Sequence, residues 1–309
     1  MDKEKIAIDR LKTASELSLQ YYKQPLVITD SGGKDSAVCL RLAQNAGIPY
    51  EVQHNHTTAD APETVWHVRE TFRGLELAGV PCQINYPTYK GRRVSMWSLI
   101  PQKLMPPTRI VRYCCDVLKE QGGKNRFITT GVRWQESTRR KNERAAFESL
   151  PKNKEKKMLL TDCDDKRMLF ENCQIRAKRV CNPIIDWTTD DVWDYIQDQQ
   201  IKTNPLYCEF GRVGCIGCPM AGKHGREIEF ARWPTYKQSY IRAFGKMLRE
   251  RARRGKVDGT WRIGTGATDV FNWWMEYDIL PGQIDIFEDS TEIRHSAKQQ
   301  PRPYPVRRQ

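Results

Sequence analysis

The sequence lacks the segments that would place a protein in a membrane or outside the cell. No apolar run is long enough to span a bilayer. The first residues, Met1 to Lys5, are mostly charged and lead into an amphipathic stretch, which is not the pattern of a secretory signal peptide. We therefore expect a cytoplasmic protein without a membrane partner.

Acidic residues are few relative to basic ones. The chain has 38 Asp and Glu against 51 Lys and Arg, a formal net charge of +13 over 309 residues. This balance favours polyanionic partners, which include nucleotides and nucleic acid. A solvated basic surface would give the same count, so charge alone leaves both interpretations open. The length suits one large domain or two.

Cysteine is not scarce, but ten cysteines in a cytoplasmic chain do not indicate a disulfide framework. Cys114-Cys115 and the Cys215-x-x-Cys218 spacing can bring four thiolates to one centre. Four thiolates suit tetrahedral zinc or an iron–sulfur cluster, and the spacing does not choose between them. Four buried structural cysteines are the simpler alternative. Three basic residues near them in sequence would lower the thiol pKa values: Arg112, Lys119 and Arg212.

A glycine-rich turn connects the first predicted strand, residues 26–29, to a predicted helix that follows it. The turn is Ser31-Gly32-Gly33-Lys34-Asp35-Ser36. Glycines let the backbone approach a ligand, and the positive end of the helix favours an anion. Lys34 adds a charge, the serines offer hydroxyls, and Asp35 can cap the helix or hold a metal ion. The spacing differs from that of a Walker P-loop, and an ordinary strand–helix turn is the alternative.

Strand patterns alternate with helical patterns along the first half of the chain. We expect strands at residues 26–29, 50–54, 80–86 and 127–133, and helices at residues 1–23, 37–46 and 62–78. This alternation predicts an α/β fold with a parallel sheet, helical crossovers and a ligand at the carboxyl ends of the strands. Residues 141–178 are expected to be partly helical and then a mobile loop. Thr188 is expected to cap a helix.

Most of the excess charge lies in one later segment. Residues 223–262 contain twelve Lys or Arg against four Asp or Glu, a net of +8. Trp233, Tyr236 and Tyr240 lie in the same segment, and basic residues beside aromatic ones suit DNA or RNA. A solvated helix whose aromatics pack in the core is equally compatible. We expect a nucleotide-binding domain at 1–220, a mainly helical basic region at 221–295 and a disordered tail at 296–309.

Several of these motifs occur together in the order that a known family shows. The loop at 31–36 resembles the PP-loop, SGGxDS, of the adenine nucleotide alpha-hydrolase superfamily. It is followed by residues 60–64 (Asp-Ala-Pro-Glu-Thr), the paired cysteines, residues 131–133 (Gly-Val-Arg), residues 183–193 and the second cysteine pair. From residue 25 to about residue 220 the chain resembles the phosphoadenosine phosphosulfate (PAPS) reductase family. The resemblance implies a Rossmann-like parallel sheet with flanking helices and a nucleotide at the strand ends.

The cysteine pattern resembles that of members with a [4Fe-4S] cluster, which include adenosine phosphosulfate (APS) reductases and the DndC proteins of DNA phosphorothioation. Sulfonucleotide reductases attack their substrate with a cysteine near the C-terminus, whereas residues 219–309 contain no cysteine. The chain is therefore expected to be closest in character to DndC-like ATP pyrophosphatases, in which an acceptor is adenylated for sulfur transfer. The alternatives are a PAPS or APS reductase that releases sulfite with an external thiol, and a non-catalytic nucleic-acid-binding protein.

The resemblance also implies roles for individual residues. Lys34, Asp35, Arg133 and Arg139 are the expected catalytic residues. The expected nucleotide-binding set comprises Ser31, Gly32, Gly33, Lys34, Asp35, Ser36, Asp60, Glu63, Gly131 and Arg133. Cys114, Cys115, Cys215 and Cys218 are the expected cluster or zinc ligands. The expected cofactors are ATP (or PAPS or APS), Mg²⁺ and [4Fe-4S], and the expected partners are DNA or RNA at residues 223–262 and a sulfur donor such as a cysteine desulfurase.

Overall fold

The computed structural model describes residues 2–120, 122–123, 125–150, 157–171, 178–256, 261 and 264–277. The helices in these residues are α1 (Lys3–Tyr22), α2 (Lys34–Ala46), α3 (Pro62–Leu77), α4 (Met96–Lys103), α5 (Thr138–Glu143), α6 (Met168–Glu171), α7 (Thr189–Asp198), α8 (Gly222–Arg232), α9 (Pro234–Arg253) and α10 (Ala267–Trp274). The strands are β1 (Leu26–Thr29), β2 (Tyr50–Asn55), β3 (Cys82–Asn85), β4 (Thr88–Tyr89), β5 (Arg92–Arg93), β6 (Phe127–Thr129), β7 (Phe147–Leu150), β8 (Met158–Leu160) and β9 (Lys178–Cys181). The tail expected at 296–309 lies outside the described residues.

Seven of these strands form one sheet in the order β3-β2-β1-β6-β9-β7-β8. The first five in this order run parallel, as expected for strands joined by crossover connections. The carboxyl ends of β1, β2 and β6 therefore meet at one edge of the sheet, where the loop at 31–36 leaves β1. The α/β, Rossmann-like parallel sheet with flanking helices is confirmed.

Two strands lie where the sequence indicated helix and mobile loop. β7 pairs antiparallel with both β9 and β8, so the sheet continues beyond its parallel part. The expectation for residues 141–178 was wrong at these two strands. Glu148 lies in the middle of β7 and interrupts the apolar pattern from which a buried strand is predicted. It is a charged residue, yet it is fully buried. Its Oε1 accepts hydrogen bonds from Arg144 Nε and Asn182 Nδ2, each at 2.7 Å, and the second of these partners is supplied by tertiary structure.

The sheet and the later helices have separate hydrophobic cores. One core lies between the sheet and helices α1, α2 and α7, with Leu11 and Ile28 among its buried residues. The other includes residues of α4, α9 and α10 together with Ile216 beside the second cysteine pair. This second core contains residues from both sides of position 220, so it ties the cysteine segments to the helical region. The domain division at 220 stays a prediction.

Several helix ends form as the sequence predicted. Gly47 ends α2 in the left-handed region, and Pro62 begins α3. Thr188 Oγ1 accepts a hydrogen bond from Asp191 N at 3.1 Å and caps α7. Helices α8 and α9 make the basic segment mainly helical, as predicted. Among the described helices, none combines the length and the apolar character that crossing a membrane requires.

Candidate active site

The loop at 31–36 is organised by Asp30, the residue that precedes it. Asp30 Oδ1 accepts hydrogen bonds from Gly32 N at 2.8 Å and from Ser36 Oγ at 2.9 Å. Ser36 Oγ accepts another from Ser31 N at 3.2 Å. The sequence reasoning missed Asp30. Its position was a usable signal, because an Asp side chain often bonds the backbone two residues on in a turn.

Two glycines allow neighbouring backbone to approach this loop. Gly32 has a φ of +72°, and a Cβ there would lie 2.8 Å from Thr64 Cγ2 at the start of α3. A Cβ at Gly131, just after β6, would lie 2.9 Å from the backbone carbonyl carbon of Asp35. Both positions therefore require glycine for packing, independently of any ligand.

Lys34, Asp35 and Arg133 form one charged cluster at the start of α2. Lys34 Nζ lies 2.9 Å from both carboxylate oxygens of Asp35, and Arg133 Nε donates to Asp35 Oδ1 at 2.8 Å. Burial lowers the pKa of Lys34, and the Asp35 carboxylate opposes that shift. One carboxylate thus positions two cations, which leaves a net positive charge where a phosphate would bind.

The loop is also held by Tyr207 and Asn204, which the sequence did not reveal. Tyr207 Oη accepts a hydrogen bond from Lys34 N at 2.9 Å, at the N-terminus of α2. Asn204 Nδ2 donates to Gly32 O at 3.1 Å and lies 3.0 Å from Thr64 Oγ1. The segment before the second cysteine pair therefore packs directly on the loop at 31–36. No local sequence signal indicates this contact.

Asp60 connects the end of β2 to the second cysteine pair. Its Oδ2 accepts a hydrogen bond from Thr57 N at 2.8 Å, and its backbone pairs with Cys215 in a short antiparallel bridge. Ile216 N donates to Ala59 O at 2.8 Å in the same bridge. The motif at 60–64 and the Cys215 segment, predicted separately, therefore form one unit.

His54, His56 and Asp60 place three ligand atoms within 4.8 Å of one another. His54 Nδ1 lies 2.8 Å from Asp30 O, and His56 Nδ1 lies 3.5 Å from Asp60 Oδ2. Burial lowers the pKa of His56, and Asp60 opposes this shift. Arg69 and Arg93 are close enough to lower that pKa further.

The four cysteines Cys114, Cys115, Cys215 and Cys218 lie close enough to influence one another. A hydrogen bond to Cys115 and burial raise the pKa of Cys114, and the charges of Cys215 and Cys218 raise it further. Across the described residues, three metal-ligating atoms come within 4.8 Å of one another only at His54, His56 and Asp60. No three of the cysteine sulfurs are therefore that close together.

Cations and hydroxyls surround the cysteine group. Arg112 Nη2 donates to Cys115 Sγ at 3.2 Å, and Cys215 Sγ lies 3.4 Å from Thr57 Oγ1. A hydrogen bond from Cys114 lowers the pKa of Cys115 to about 6 against the effect of burial, with a further contribution from Arg112. The charge of Cys215 raises the pKa of Lys119. The surroundings thus stabilise the thiolate of Cys115, whereas burial raises the pKa of Cys215.

A cleft of about 930 Å³ joins the loop at 31–36 to the cysteine segments. Its walls include Asp30 and Ser31 from the loop, Asp60, Lys119 and Gly214. The cleft is also lined by Thr29 at the end of β1, by Ile128 on β6 and by Thr130 just after β6. This volume lies within the range of small-molecule sites. The cleft lies where the parallel strands predict a ligand site.

Two expected site residues have other partners. Arg139 is largely exposed on α5 and pairs with Glu143 at 2.9 Å. The adjacent Arg140 pairs with Glu136 and is also close enough to Asp35 to interact with its charge. Glu63 Oε1 lies 3.4 Å from Arg232 Nη2, and its Oε2 is buried with no hydrogen-bond partner among the described residues. The structure thus brings together the loop at 31–36, Arg133, Gly131 and Asp60, but not Arg139.

The aromatic residues of segment 223–262 are packed inside. Tyr240 is buried in the second core, and Tyr236 Oη donates to Asp60 O at 2.7 Å. Trp233 stacks on Phe210 with ring centroids 5.4 Å apart. These rings pack against the protein interior near the cysteine segment. This agrees with the alternative that the aromatic residues of a solvated helix pack in the core.

Comparisons with known proteins give the following similarities. Residues 25–221 match the family model described as the phosphoadenosine phosphosulfate reductase domain. An uncharacterized protein of Methanocaldococcus jannaschii is 28% identical over 262 residues, which cover 82% of this chain and 52% of that protein. An adenosine 5'-phosphosulfate reductase of Neisseria meningitidis is 42% identical over 53 residues, 17% of this chain and 22% of that enzyme. The chain thus spans about half the length of the first relative.

Among solved structures, the chain is similar to a phosphoadenylyl-sulfate reductase from Candida auris in a phosphate complex. The sequence identity is 17%, the TM-score is 0.41, and the match covers 67% of this chain and 93% of that one.

Proposed function

Because the chain belongs to the phosphoadenosine phosphosulfate reductase family, we propose that its PP-loop binds ATP and that it adenylates an acceptor for sulfur transfer. The observation that carries the proposal is the shared cleft, whose walls come from both the PP-loop at 31–36 and the cysteine segments. A nucleotide in this cleft would lie between Ser31 of the PP-loop and Gly214, the residue that precedes Cys215. Activation by ATP and delivery of sulfur would then occur in one place.

The proposed reaction is attack by an acceptor oxygen on the α-phosphorus of ATP. The bond between that phosphorus and the bridging oxygen breaks, pyrophosphate leaves, and the acceptor carries AMP. The outer sulfur of a persulfide donor, such as one formed by a cysteine desulfurase, then attacks the acceptor, and AMP leaves. A second thiol cleaves the resulting disulfide, so that sulfur stays on the acceptor and the two thiol groups of the donor side form a disulfide. Lys34 and the backbone N–H groups of the PP-loop would stabilise the charge on pyrophosphate. The Mg²⁺ that accompanies ATP would compete with Lys34 and Arg133 for the Asp35 carboxylate.

The four cysteines would hold a [4Fe-4S] cluster. Four thiolates suit both tetrahedral zinc and a four-iron cluster. In a four-iron cluster each thiolate binds a different iron. The cluster is preferred here because a cysteine pair followed by Cys-x-x-Cys resembles the pattern of cluster-bearing family members. Bound there, the cluster would supply a site for sulfur or electron transfer, and Arg112 and Lys119 would offset its negative charge.

The acceptor in this proposal is DNA or RNA. The net charge of +13 supports a polyanionic acceptor. Segment 223–262 offers part of that charge, although Arg226 is buried and Arg253 and Arg254 share Glu250.

The test uses anaerobically purified full chain, ATP, Mg²⁺ and DNA or RNA, with pyrophosphate and AMP as the measured products. We expect both products from the wild type and neither from Lys34→Ala or Asp35→Ala. If no nucleic acid supports pyrophosphate release, the proposal is wrong. Sulfite release from PAPS or APS with a thiol donor would instead support a reductase.

A further inference from the structure

An exposed aromatic and basic surface lies beside the candidate active site. It is formed by α3 and residues 86–93, and we call it the Trp66 patch. The two parts meet near His56, because Arg69 of α3 and Arg93 of β5 both act on its charge. Trp66 is 69% exposed and Tyr86 is 42% exposed, which is unusual for large rings. The patch consists of Trp66, Arg69, Tyr86, Lys90, Arg92 and Arg93.

The cations of the Trp66 patch are available to a partner. Arg93 Cζ lies 3.7 Å from the centroid of the Tyr86 ring, and Arg69 Cζ lies 5.9 Å from that of Trp66. Within the described part of the chain, no ion pair involves Arg69, Lys90, Arg92 or Arg93. The nearby carboxylate of Glu70 is already paired with Lys202 at 2.9 Å. The patch therefore carries uncompensated positive charge next to flat apolar rings.

Segment 223–262 lacks this combination. Its rings Trp233, Tyr236 and Tyr240 pack inside, and Arg253 and Arg254 both pair with Glu250 at 2.7 Å. Tyr240 is buried and Trp233 and Tyr236 are half-buried, so these rings are less open to stacking than Trp66, and part of the charge of the segment is already neutralised. An aromatic and basic surface for nucleic acid is found at the Trp66 patch instead.

The Trp66 patch is continuous with the cleft. The His56 ring meets Tyr86 edge-on with centroids 5.7 Å apart, and His56 Nδ1 lies 3.5 Å from Asp60 Oδ2. Asp60 lines the cleft and pairs through its backbone with Cys215. A chain of contacts thus leads from Tyr86 through His56 to the site. A polymer lying on the patch could place one of its units in the cleft.

We propose that the Trp66 patch binds single-stranded nucleic acid, with bases stacked on Trp66 and Tyr86 and phosphates on Arg69, Arg92 and Arg93. Stacking on exposed rings requires unpaired bases, so the patch selects single strands over duplexes. The statement that the strand bound there is the acceptor rests on the proposed function. The binding itself needs no ATP and is tested separately.

The experiment measures fluorescence anisotropy of labelled oligo(dT) and oligo(rU), single-stranded and annealed to a complement, with the full chain and no nucleotide. We expect Trp66→Ala and Tyr86→Ala each to weaken single-strand binding by about fivefold or more. Replacing Arg92 and Arg93 by Gln is expected to reduce the slope of log K against log salt by about 1. A larger effect on oligo(rU) than on oligo(dT) would indicate RNA as the strand.

Matched controls separate the Trp66 patch from other surfaces. Tyr21→Ala removes a ring that is 41% exposed on α1, and Arg253→Gln with Arg254→Gln removes two cations from segment 223–262. Both variants should bind single strands like the wild type. Thermal unfolding and ATP affinity should be unchanged in Trp66→Ala, because this side chain is exposed and outside the cleft.

Three results would overturn the proposal. Binding that survives Trp66→Ala and Tyr86→Ala but not the arginine substitutions would indicate a general polyanion surface. Equal affinity for duplex and single strand, or loss of binding only in the Arg253 and Arg254 variant, would contradict it as well. Oligonucleotide binding through the patch without any pyrophosphate release would disprove the proposed function and leave this inference standing.

Discussion

Arg133 Nε donates a hydrogen bond to Oδ1 of Asp35 at 2.8 Å, across 98 positions of sequence. The bond joins the loop after β6 to the first turn of α2. Arg133 is itself buried, and its Nη1 lies 3.4 Å from Trp187 O. The PP-loop is therefore held from the neighbouring strand, and its shape depends on residues far from the SGGKDS motif.

Replacing this arginine tests whether its geometry is needed in addition to its charge. Arg133→Lys keeps the positive charge but loses the planar guanidinium that bonds Asp35 through Nε. We expect kcat/KM for ATP-dependent pyrophosphate release to fall by about 10²-fold, or about 3 kcal/mol. Lys202→Gln, which removes an exposed cation on the surface, serves as the control. Wild-type kinetics in Arg133→Lys would contradict this role.

Gly32 and Gly47 form a matched pair for testing loop packing. Both have positive φ, +72° and +63°, but a Cβ at Gly32 would lie 2.8 Å from Thr64 Cγ2 whereas one at Gly47 would meet nothing within 4 Å. Gly47→Ala should cost only the conformational strain, about 1–2 kcal/mol. Gly32→Ala should cost more than this and also abolish ATP binding. Chemical denaturation and nucleotide titration measure the two effects, and equal costs would show that Thr64 moves aside freely.

Arg139 and Arg140 are neighbours with different surroundings. Arg139 is exposed and paired with Glu143, whereas Arg140, which pairs with Glu136, is also close enough to interact electrostatically with Asp35. We expect Arg140→Ala to lower kcat/KM for ATP by about tenfold and Arg139→Ala to lower it much less. Steady-state pyrophosphate release distinguishes them. A larger loss in Arg139→Ala would restore the role that the family resemblance implied for Arg139.

Metal analysis tests the cysteine group. Anaerobically purified chain is expected to contain about four iron atoms, and Cys215→Ser should lose them because a thiolate ligand is removed. Cys163→Ser removes an exposed thiol outside the proposed ligand set and should retain iron. The measurements are iron and zinc content and the visible absorbance spectrum. Zinc as the sole metal would contradict the cluster assignment.

The surroundings of Asp191 predict that part of the free energy of unfolding is lost in acid. Burial opposes its ionisation, but hydrogen bonds from Lys3 and Thr188 lower the pKa of Asp191 to about 2. In the unfolded chain this pKa is about 3.9. The lower folded pKa stabilises the fold at neutral pH, and this contribution is lost as pH falls from about 4 towards 2. Asp191→Asn should reduce the free energy of unfolding by about 1 kcal/mol at pH 7 and by less at pH 3. If the free energies of unfolding of the wild type and Asp191→Asn differed by the same amount at pH 7 and pH 3, this prediction would be contradicted.

Local patterns predicted much of the fold. β1 and β6 are apolar or β-branched runs, and β2 and β3 alternate polar and less polar residues. The Thr188 cap has its usual spacing, so each of these elements could be predicted from neighbouring residues. β7 could not, because Glu148 breaks its apolar pattern and is tolerated only through Arg144 and Asn182. A buried charge is stable only with partners, and Asn182 comes from a distant part of the chain.

The candidate active site also has a part that the sequence predicts and a part that only the tertiary structure shows. The sequence by itself determined the SGGKDS loop, its place between a strand and a helix, and the two cysteine pairs, because these depend on spacing along the chain. Tertiary structure alone decided that Arg133 bonds Asp35, that Tyr207 reaches Lys34 N, and that Asp60 pairs with Cys215. It also buried the aromatics of 223–262 and exposed Trp66. The physical reason is that hydrogen bonds and burial depend on which distant segments the packed sheet and helices bring together.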